Sequence, residues 1–330
     1  MRDAAKRIRR AGAESVVSAL ASLVGRLRES RGFQHKSDIS GVLSRLPEGA
    51  IAIGDDCAAI PDNDGYLLFA IEGMVSDFVR AMPWFAGYSS VMVNVSDIYA
   101  MGGRPIAVVD ALWSGSTYEA KEVLAGMAAA SKVYGVPIVG GHSNVRSDGA
   151  QLAVSIVGRA RKLLTSFDAK PGDALIMAVD LRGNYEDPYP FWNASVGSPE
   201  GRARDDFELL PALAEDGLCD AAKDISMAGV LGTALMLLEC SKVGARIDLD
   251  LIPDPNDSNF ERWLGAFPSF GFVLSVRPKH VDVVIARFAA REIASAVIGH
   301  VDASREVVVT QGDESALLWN LREEAFICAR

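Results

Sequence analysis

Five acidic side chains in this chain stand where they could hold a divalent cation. "IGDDCA" places Asp55 and Asp56 directly after an apolar run and a glycine. Neighbours on a strand point to opposite faces, but a turn leaving the strand relaxes that restriction, so both carboxylates could reach one divalent cation. Asp-Asp after Gly is equally ordinary turn composition. Glu72 ends the apolar run "YLLFAI", and an acid there marks either a strand exit or a partner. In "NVSDIYAMGG", Asn94 and Asp97 are three residues apart and share a helix face, while Val91, Val95 and Ile98 form the apolar one. The alternative there is capping or helix bending by Ser96 and Asp97. In "AAKDISMAG", Asp224 and Ser226 precede an apolar helix, where an N-cap and an anion site use the same residue types.

A further candidate is "VPIVGGHSN". A β-branched run ends in Gly140 and Gly141, which permit a backbone approach that a side chain would block, and His142 and Ser143 follow at once. His142 suits metal ligation, proton handling or a phosphate contact, and a packing role is the plain alternative. Lys36, in the leader segment "GFQHKSD", is either a phosphate contact or a solvated surface lysine. No G-x-x-x-x-G-K-[ST] loop, no G-x-G-x-x-G after a strand, and no H-E-x-x-H or G-x-S-x-G motif occurs. A bound nucleotide would therefore be held by neither a P-loop nor a Rossmann site.

Composition narrows the classes. A hydrophobic share of 49% with 23% charged residues in 330 residues fits a folded protein of about two domains. The net charge of −10 argues against nonspecific nucleic-acid binding. An acidic protein still binds phosphorylated ligands when its carboxylates work through divalent ions. Cys57, Cys219, Cys240 and Cys328 lack metal spacing and read as reduced thiols of a cytoplasmic protein. No run is long and apolar enough to span a bilayer, and the basic start "MRDAAKRIRR" reads as an amphipathic helix.

These residues need elements to position them, and apolar spacing supplies the outline. A helical leader over 1–44 is expected to break near Gly32 and Ser37. Strands are expected at "AIAIGDD", "YLLFAIE", "PIAVVDAL", "VPIVGG" and "QLAVSIVGRA", with helices at "GYSSVMVNVSDIYAMGG" and "TYEAKEVLAGMAAASKVYG". A joint at "LLTSFDAKPGD" separates a first domain, 45–162, from a second, 163–330. The second carries the strands "ALIMAVDL", "ARIDLDLI", "FGFVLSV", "SAVIGHV" and "EVVVTQG", with helices at about 204–218, 228–243 and 279–293. The loop 183–200 is aromatic and polar enough to line a pocket, or simply to cover the core. Two mixed α+β halves fit this order better than one long βαβ array.

The ordered set "IGDDCA", acidic strand end, "VNVSDIYAMGGRP", "VPIVGGH" and "DIS" resembles the aminoimidazole ribonucleotide (AIR) synthase superfamily, over about 45–310. That superfamily includes thiamine-monophosphate kinase, selenophosphate synthetase, the hydrogenase maturation factor HypE and formylglycinamide ribonucleotide amidotransferase. The resemblance implies a two-domain architecture whose N-terminal halves pair into a barrel-like sheet in a homodimer, with ATP and Mg²⁺ in the adjoining cleft. It implies that Asp56, Glu72 and Asp97, with Asp55 beside them, hold magnesium on the ATP phosphates. Asn94 matches the polar residue on the same helix, and Gly140, Gly141 and His142 match a Gly-Gly-acid or Gly-Gly-His corner. Asp224 and Ser226 match an Asp-x-Ser element near metal and phosphate. The implied activity is Mg²⁺- and ATP-dependent phosphoryl transfer to, or activation of, a small molecule. A non-catalytic nucleotide-binding accessory protein and a thiamine-monophosphate kinase are the alternatives. Against the kinase, His142 replaces an Asp, and "DISMAG" carries Met227 where that enzyme has an acid. The chain lacks the early cysteine that selenophosphate synthetase needs, although "GGHS" is close to its Gly-Gly-His-Thr.

Overall fold

The computed structural model describes residues 18–43, 45, 51–256 and 259–328. Two leader helices come first, α1 (Ala19–Glu29) and α2 (Arg31–Leu43). The first domain contains β1 (Ala58–Asp62), β2 (Gly65–Met74), α3 (Ser76–Ala81), α4 (Pro83–Ala100), β3 (Arg104–Trp113), α5 (Thr117–Tyr134), β4 (Ile138–Asn144) and β5 (Gln151–Ala160). The second begins with β6 (Ala174–Val179), followed by β7 (Asn184–Tyr185), β8 (Phe191–Asn193), α6 (Arg202–Phe207), α7 (Leu209–Glu215), β9 (Ala221–Asp224) and α8 (Gly229–Cys240). It continues through β10 (Gly244–Asp248), α9 (Phe260–Leu264), β11 (Phe267–Pro268), β12 (Gly271–Val276), α10 (Val281–Ala289), β13 (Ala294–Asp302), β14 (Glu306–Gln311) and β15 (Glu314–Asn320).

Among the described residues the strands form three sheets, ordered β1-β2-β5-β3-β4, β15-β14-β10-β13-β6-β12-β9 and β11-β8-β7. The architecture is thus the mixed two-domain α+β expected. In the first sheet β5 alternates buried and half-buried positions, as a strand with one face on a core must. Its inner side, with Leu152, Val154 and Ile156, meets α4. Its outer side is apolar as well, with Phe69 51% exposed and Ile71 66% exposed. In the second sheet β6 and β12 are buried along their whole length, the pattern of strands covered on both faces. Ile176, Phe272 and Leu274 join the core around α4, whereas Leu175, Met177 and Val273 join the core formed with α1 and α8. The layers are therefore sheet, helices, sheet, helices, and α4 lies between the two large sheets.

Local chemistry explains both ends of α5. Ser116 caps α5 by accepting from the Glu119 amide at 3.2 Å, and Gly135 ends it at φ 68°, where a Cβ is disfavoured. Helices α4 and α5 cross closely because Gly87 and Gly126 lack side chains. A Cβ on Gly126 would lie 1.8 Å from the Trp84 carbonyl oxygen. No helix of the described residues is long and apolar enough to cross a membrane.

Three expectations require correction. The leader does not break at Gly32 and Ser37; the break falls at Ser30, and α2 runs through both residues. Gly32 is needed for proximity, since its Cβ would sit 2.1 Å from the Met227 carbonyl oxygen, and the Ser37 hydroxyl bonds back to Gln34 O at 2.9 Å. "AIAIGDD" forms no strand over 51–57, its first residue lying outside the described set; the strand begins at Ala58. Gly54 takes a φ of 121°, and Asp55 is tied to the second domain instead of to a ladder. The single helix expected at 204–218 is two, α6 and α7, joined at Glu208. The basic start, residues 1–17, lies outside the described residues.

The close crossing of α4 and α5 yields a test. Gly126→Ala forces the two helices apart and is expected to lower the unfolding free energy by about 1–3 kcal/mol, the usual cost of overpacking. Urea denaturation measures it; an unchanged midpoint would contradict the contact.

Candidate active site

Layering brings the acids together. Asp97 sits in the last turns of α4, buried between the sheets. Asp224 ends β9, on the second sheet, also buried. Asp56 comes from the loop that leads into β1. Ligand oxygens of Asp56, Asp97 and Asp224 all lie within 4.8 Å of one another. Asp56 Oδ2, Asp97 Oδ2 and Ser226 Oγ are buried and have no hydrogen-bond partner among the described residues. Buried polar atoms are nearly always satisfied, so orphan oxygens on two members of one carboxylate cluster indicate a missing electrophile. Hard oxygen donors of this kind suit Mg²⁺ or a similar cation.

These residues line a cavity of about 700 Å³, together with Asp55, Glu72, Lys36 and Lys223. Lys223 had not been singled out from sequence. Its ammonium pairs with Asp56 and lies 3.5 Å from Ser166 Oγ. Burial alone would lower its pKa, but Asp56 and Asp55 outweigh burial and hold it charged. The available signal was a lysine inside the apolar strand "AAKD", since a buried lysine needs a partner. Asp55 is differently used: it accepts from Ser166 N at 2.9 Å and Ser166 Oγ at 2.7 Å, so it anchors the loop across the domain joint. Lys36 reaches the cavity because α2 approaches the "DISMAG" turn at Gly32.

Electrostatics report an excess of negative charge. Burial, then Asp56, pushes Asp224 up to about 8, against the opposing pull of Lys223. Asp97 is held well above the carboxylate range by burial, then by Asp224, Glu72 and Asp56. Asp55 rises to about 6 through burial, with Lys223 opposing. Glu72 is open to the cavity yet surrounded by protein; desolvation raises it and Lys36 counters. A shared cation would relieve all four.

The remaining candidates fall elsewhere. Asn94 is fully buried, donates to Ser90 O at 2.7 Å and does not line the cavity. Gly140, Gly141, His142 and Ser143 lie within β4, an exposed edge strand, and are not gathered into the cavity of this chain. The pleat explains this. Glu72 pairs with Val154, and Val154 with Asp110, on the inner face; His142 pairs with Ala111 one residue on, on the outer face. Its ring lies 5.9 Å from Trp113 instead.

Comparison with known proteins agrees with this two-domain fold. Residues 54–160 match the model described as "AIR synthase related protein, N-terminal domain", and 194–312 match the corresponding C-terminal domain. An uncharacterised protein of Synechocystis is 49% identical over 311 residues, covering 92% of this chain and 97% of that one. A thiamine-monophosphate kinase of Pyrococcus horikoshii is 30% identical, covering 61% of this chain and 68% of that one. Thermotoga maritima PurL complexed with ATP has the same fold, with a TM-score of 0.74 at 19% identity; it matches 94% of this chain, which spans 52% of PurL. The chain belongs to the AIR synthase-related family.

The raised carboxyls give a pH prediction with a definite sign. Folded Asp97 and Asp224 bind protons above the unfolded carboxylate pKa of about 4, so their contribution to stability is lost as pH rises from there through about 8. A cation replaces those protons, so Mg²⁺ should raise the melting temperature more at pH 8 than at pH 6. Asp97→Asn should raise the metal-free melting temperature and remove the Mg²⁺ increment. Equal Mg²⁺ shifts at both pH values in differential scanning fluorimetry would contradict the cluster's role.

Proposed function

We propose that this protein is a Mg²⁺- and ATP-dependent phosphotransferase or ATP-activating synthase acting on a small molecule. The observation that carries the reading is the trio Asp56, Asp97 and Asp224, whose ligand oxygens lie within 4.8 Å of one another beside a cavity large enough for a nucleotide, with orphan oxygens on Asp56 and Asp97. The PurL fold relative bound to ATP and the kinase relative support the nucleotide assignment.

Asp56, Asp97 and Asp224 would hold Mg²⁺, whose chemistry is to neutralise phosphate charge and hold phosphate oxygens. The chain's own residues do the rest. Lys36 and Arg31, both on α2 and both lining the cavity, bind phosphate oxygens from the leader side. Lys223 fixes Asp56 by ion pairing, and Ser166 fixes Asp55, so the loop carrying both acids is rigid where phosphate arrives. Ser226 Oγ offers a further hydrogen bond at the start of α8. Phosphoryl transfer needs little covalent chemistry from the protein, and positioned charge of this kind is what it requires. His142 takes no part within one chain under this reading.

The apolar outer face of the first sheet supports a homodimer in which two such sheets face each other. Phe69, Ile71 and Val109 lie on that face, 51%, 66% and 43% exposed. Ile71→Asp is expected to give monomers in light scattering, whereas wild type gives dimers; monomeric wild type would overturn the pairing.

Isothermal titration with a non-hydrolysable ATP analogue tests the nucleotide reading. Binding should require Mg²⁺, and Lys36→Ala should weaken it by about tenfold, as for loss of one charged hydrogen bond. Binding unchanged by chelator, or by Asp97→Asn, would refute the assignment.

A further inference from the structure

The proposed metal and phosphate contacts account for only one end of the cavity, and its other end has a different lining. Helix α4 acts as its ruler: Phe85, Ser89, Val93 and Asp97 follow at four-residue spacing and all line the cavity. At about 1.5 Å per residue, Phe85 stands about 18 Å from Asp97 along the axis, and Ser89 about 12 Å. The carboxylates and the α2 cations occupy the Asp97 end. The far end is walled by rings from three separate segments.

Phe78 of α3 meets Tyr189 and Phe191 edge-on, each with ring centroids 5.1 Å away. Tyr189 and Phe191 stack at 5.2 Å, with an interplanar angle of 11°. Both of these rings are only half-buried and line the cavity. The loop that carries them is held by strand pairing, not left free: β8 pairs with β7 on one side and with β11 on the other. Ser89 adds the polar element. It is 6% exposed, it lines the cavity, and its Oγ has no hydrogen-bond partner among the described residues. A concave wall of aromatic rings around one unsatisfied hydroxyl is how a small-molecule site fixes and orients a planar ligand.

We infer that this end is the acceptor subsite, and that the acceptor is a planar aromatic or heteroaromatic ring bearing a polar substituent that meets Ser89 Oγ. The inference rests on the nucleotide reading for direction. Lys36 and Arg31 draw the phosphate chain toward α2, so the acceptor must approach the carboxylates from the other side, in line with the leaving group. The ring stack receives the planar part and Ser89 sets its rotation. Unlike the charged end, this subsite selects by shape and by the quadrupole of the rings.

Benzyl alcohol serves as the probe, cyclohexylmethanol as its saturated counterpart, and titrations are followed by ligand-observed NMR with and without the Mg²⁺-bound non-hydrolysable ATP analogue. Benzyl alcohol should bind more tightly than cyclohexylmethanol. Phe191→Leu, which keeps an apolar side chain but removes the ring, should weaken it by about tenfold, the upper range for one aromatic pair, and leave analogue affinity unchanged. Ser89→Ala should reduce benzyl alcohol binding to that of toluene. Equal binding of the two alcohols, or analogue binding lost in Phe191→Leu with the probe unaffected, would overturn the subsite. Probe binding as expected with no binding of the analogue by wild type would support the aromatic subsite and refute the nucleotide reading alone.

Discussion

Burying three carboxylates within 4.8 Å of one another is the constraint on which the rest of this molecule turns. Like charges so placed in a low-dielectric interior repel strongly, and desolvation disfavours each of them separately. The protein answers with one buried lysine and one cavity-facing lysine, which leaves the site short of positive charge. Protons fill the deficit in the free protein, as the rise of Asp224 to about 8 expresses. A divalent ion fills it better. The surrounding architecture serves to keep these oxygens from moving apart.

That architecture is a sandwich closed on α4. The helix is buried along nearly its whole length, because one large sheet covers each side of it. Asp97 thereby meets Asp224, which ends a strand of the opposite sheet. The loop at Asp55 closes the third side through Ser166, across the joint between the domains. The leader helices complete the enclosure. Helix α1 docks on β15, with Arg28 reaching Glu324 at 2.8 Å, and α2 then delivers Lys36 past Gly32. The same helix α4 links the charged end to the aromatic end, so one rigid rod sets the distance between the two chemistries.

How much of this was legible depended on the range of the interactions. Asp56, Glu72, Asp97, Asp224, Ser226 and Lys36 all line one cavity, and each is a candidate on sequence from its residue type and its place beside an apolar segment or in the leader. Lys223 carries a local signal, a lysine within an apolar strand, but its partner Asp56 is 167 residues away and only the fold identifies it. β9 was missed for a related reason. A strand as short as "AAKD" carries too little alternation to be read, and its identity comes from pairing with β12. His142 shows the opposite case within one chain. "VGGHSN" looks like a strand delivering a side chain to a site, but β4 continues to Asn144 and its pleat turns the ring to the outer face.

By itself the sequence determined the two mixed domains, most of the elements and the set of acids, because apolar periodicity and the scarcity of buried charge are local properties. The tertiary structure decided which of those acids share a point in space. It separated Asp56, left with an orphan oxygen, from Asp55, which accepts two hydrogen bonds from Ser166, although the two are neighbours in the chain. It also decided, between lining a pocket and covering the core, that part of the aromatic loop at 183–200 lines the cavity. The reason is physical: convergence is set by the order in which sheets and helices stack, and that order is fixed by burying apolar faces contributed from the whole chain.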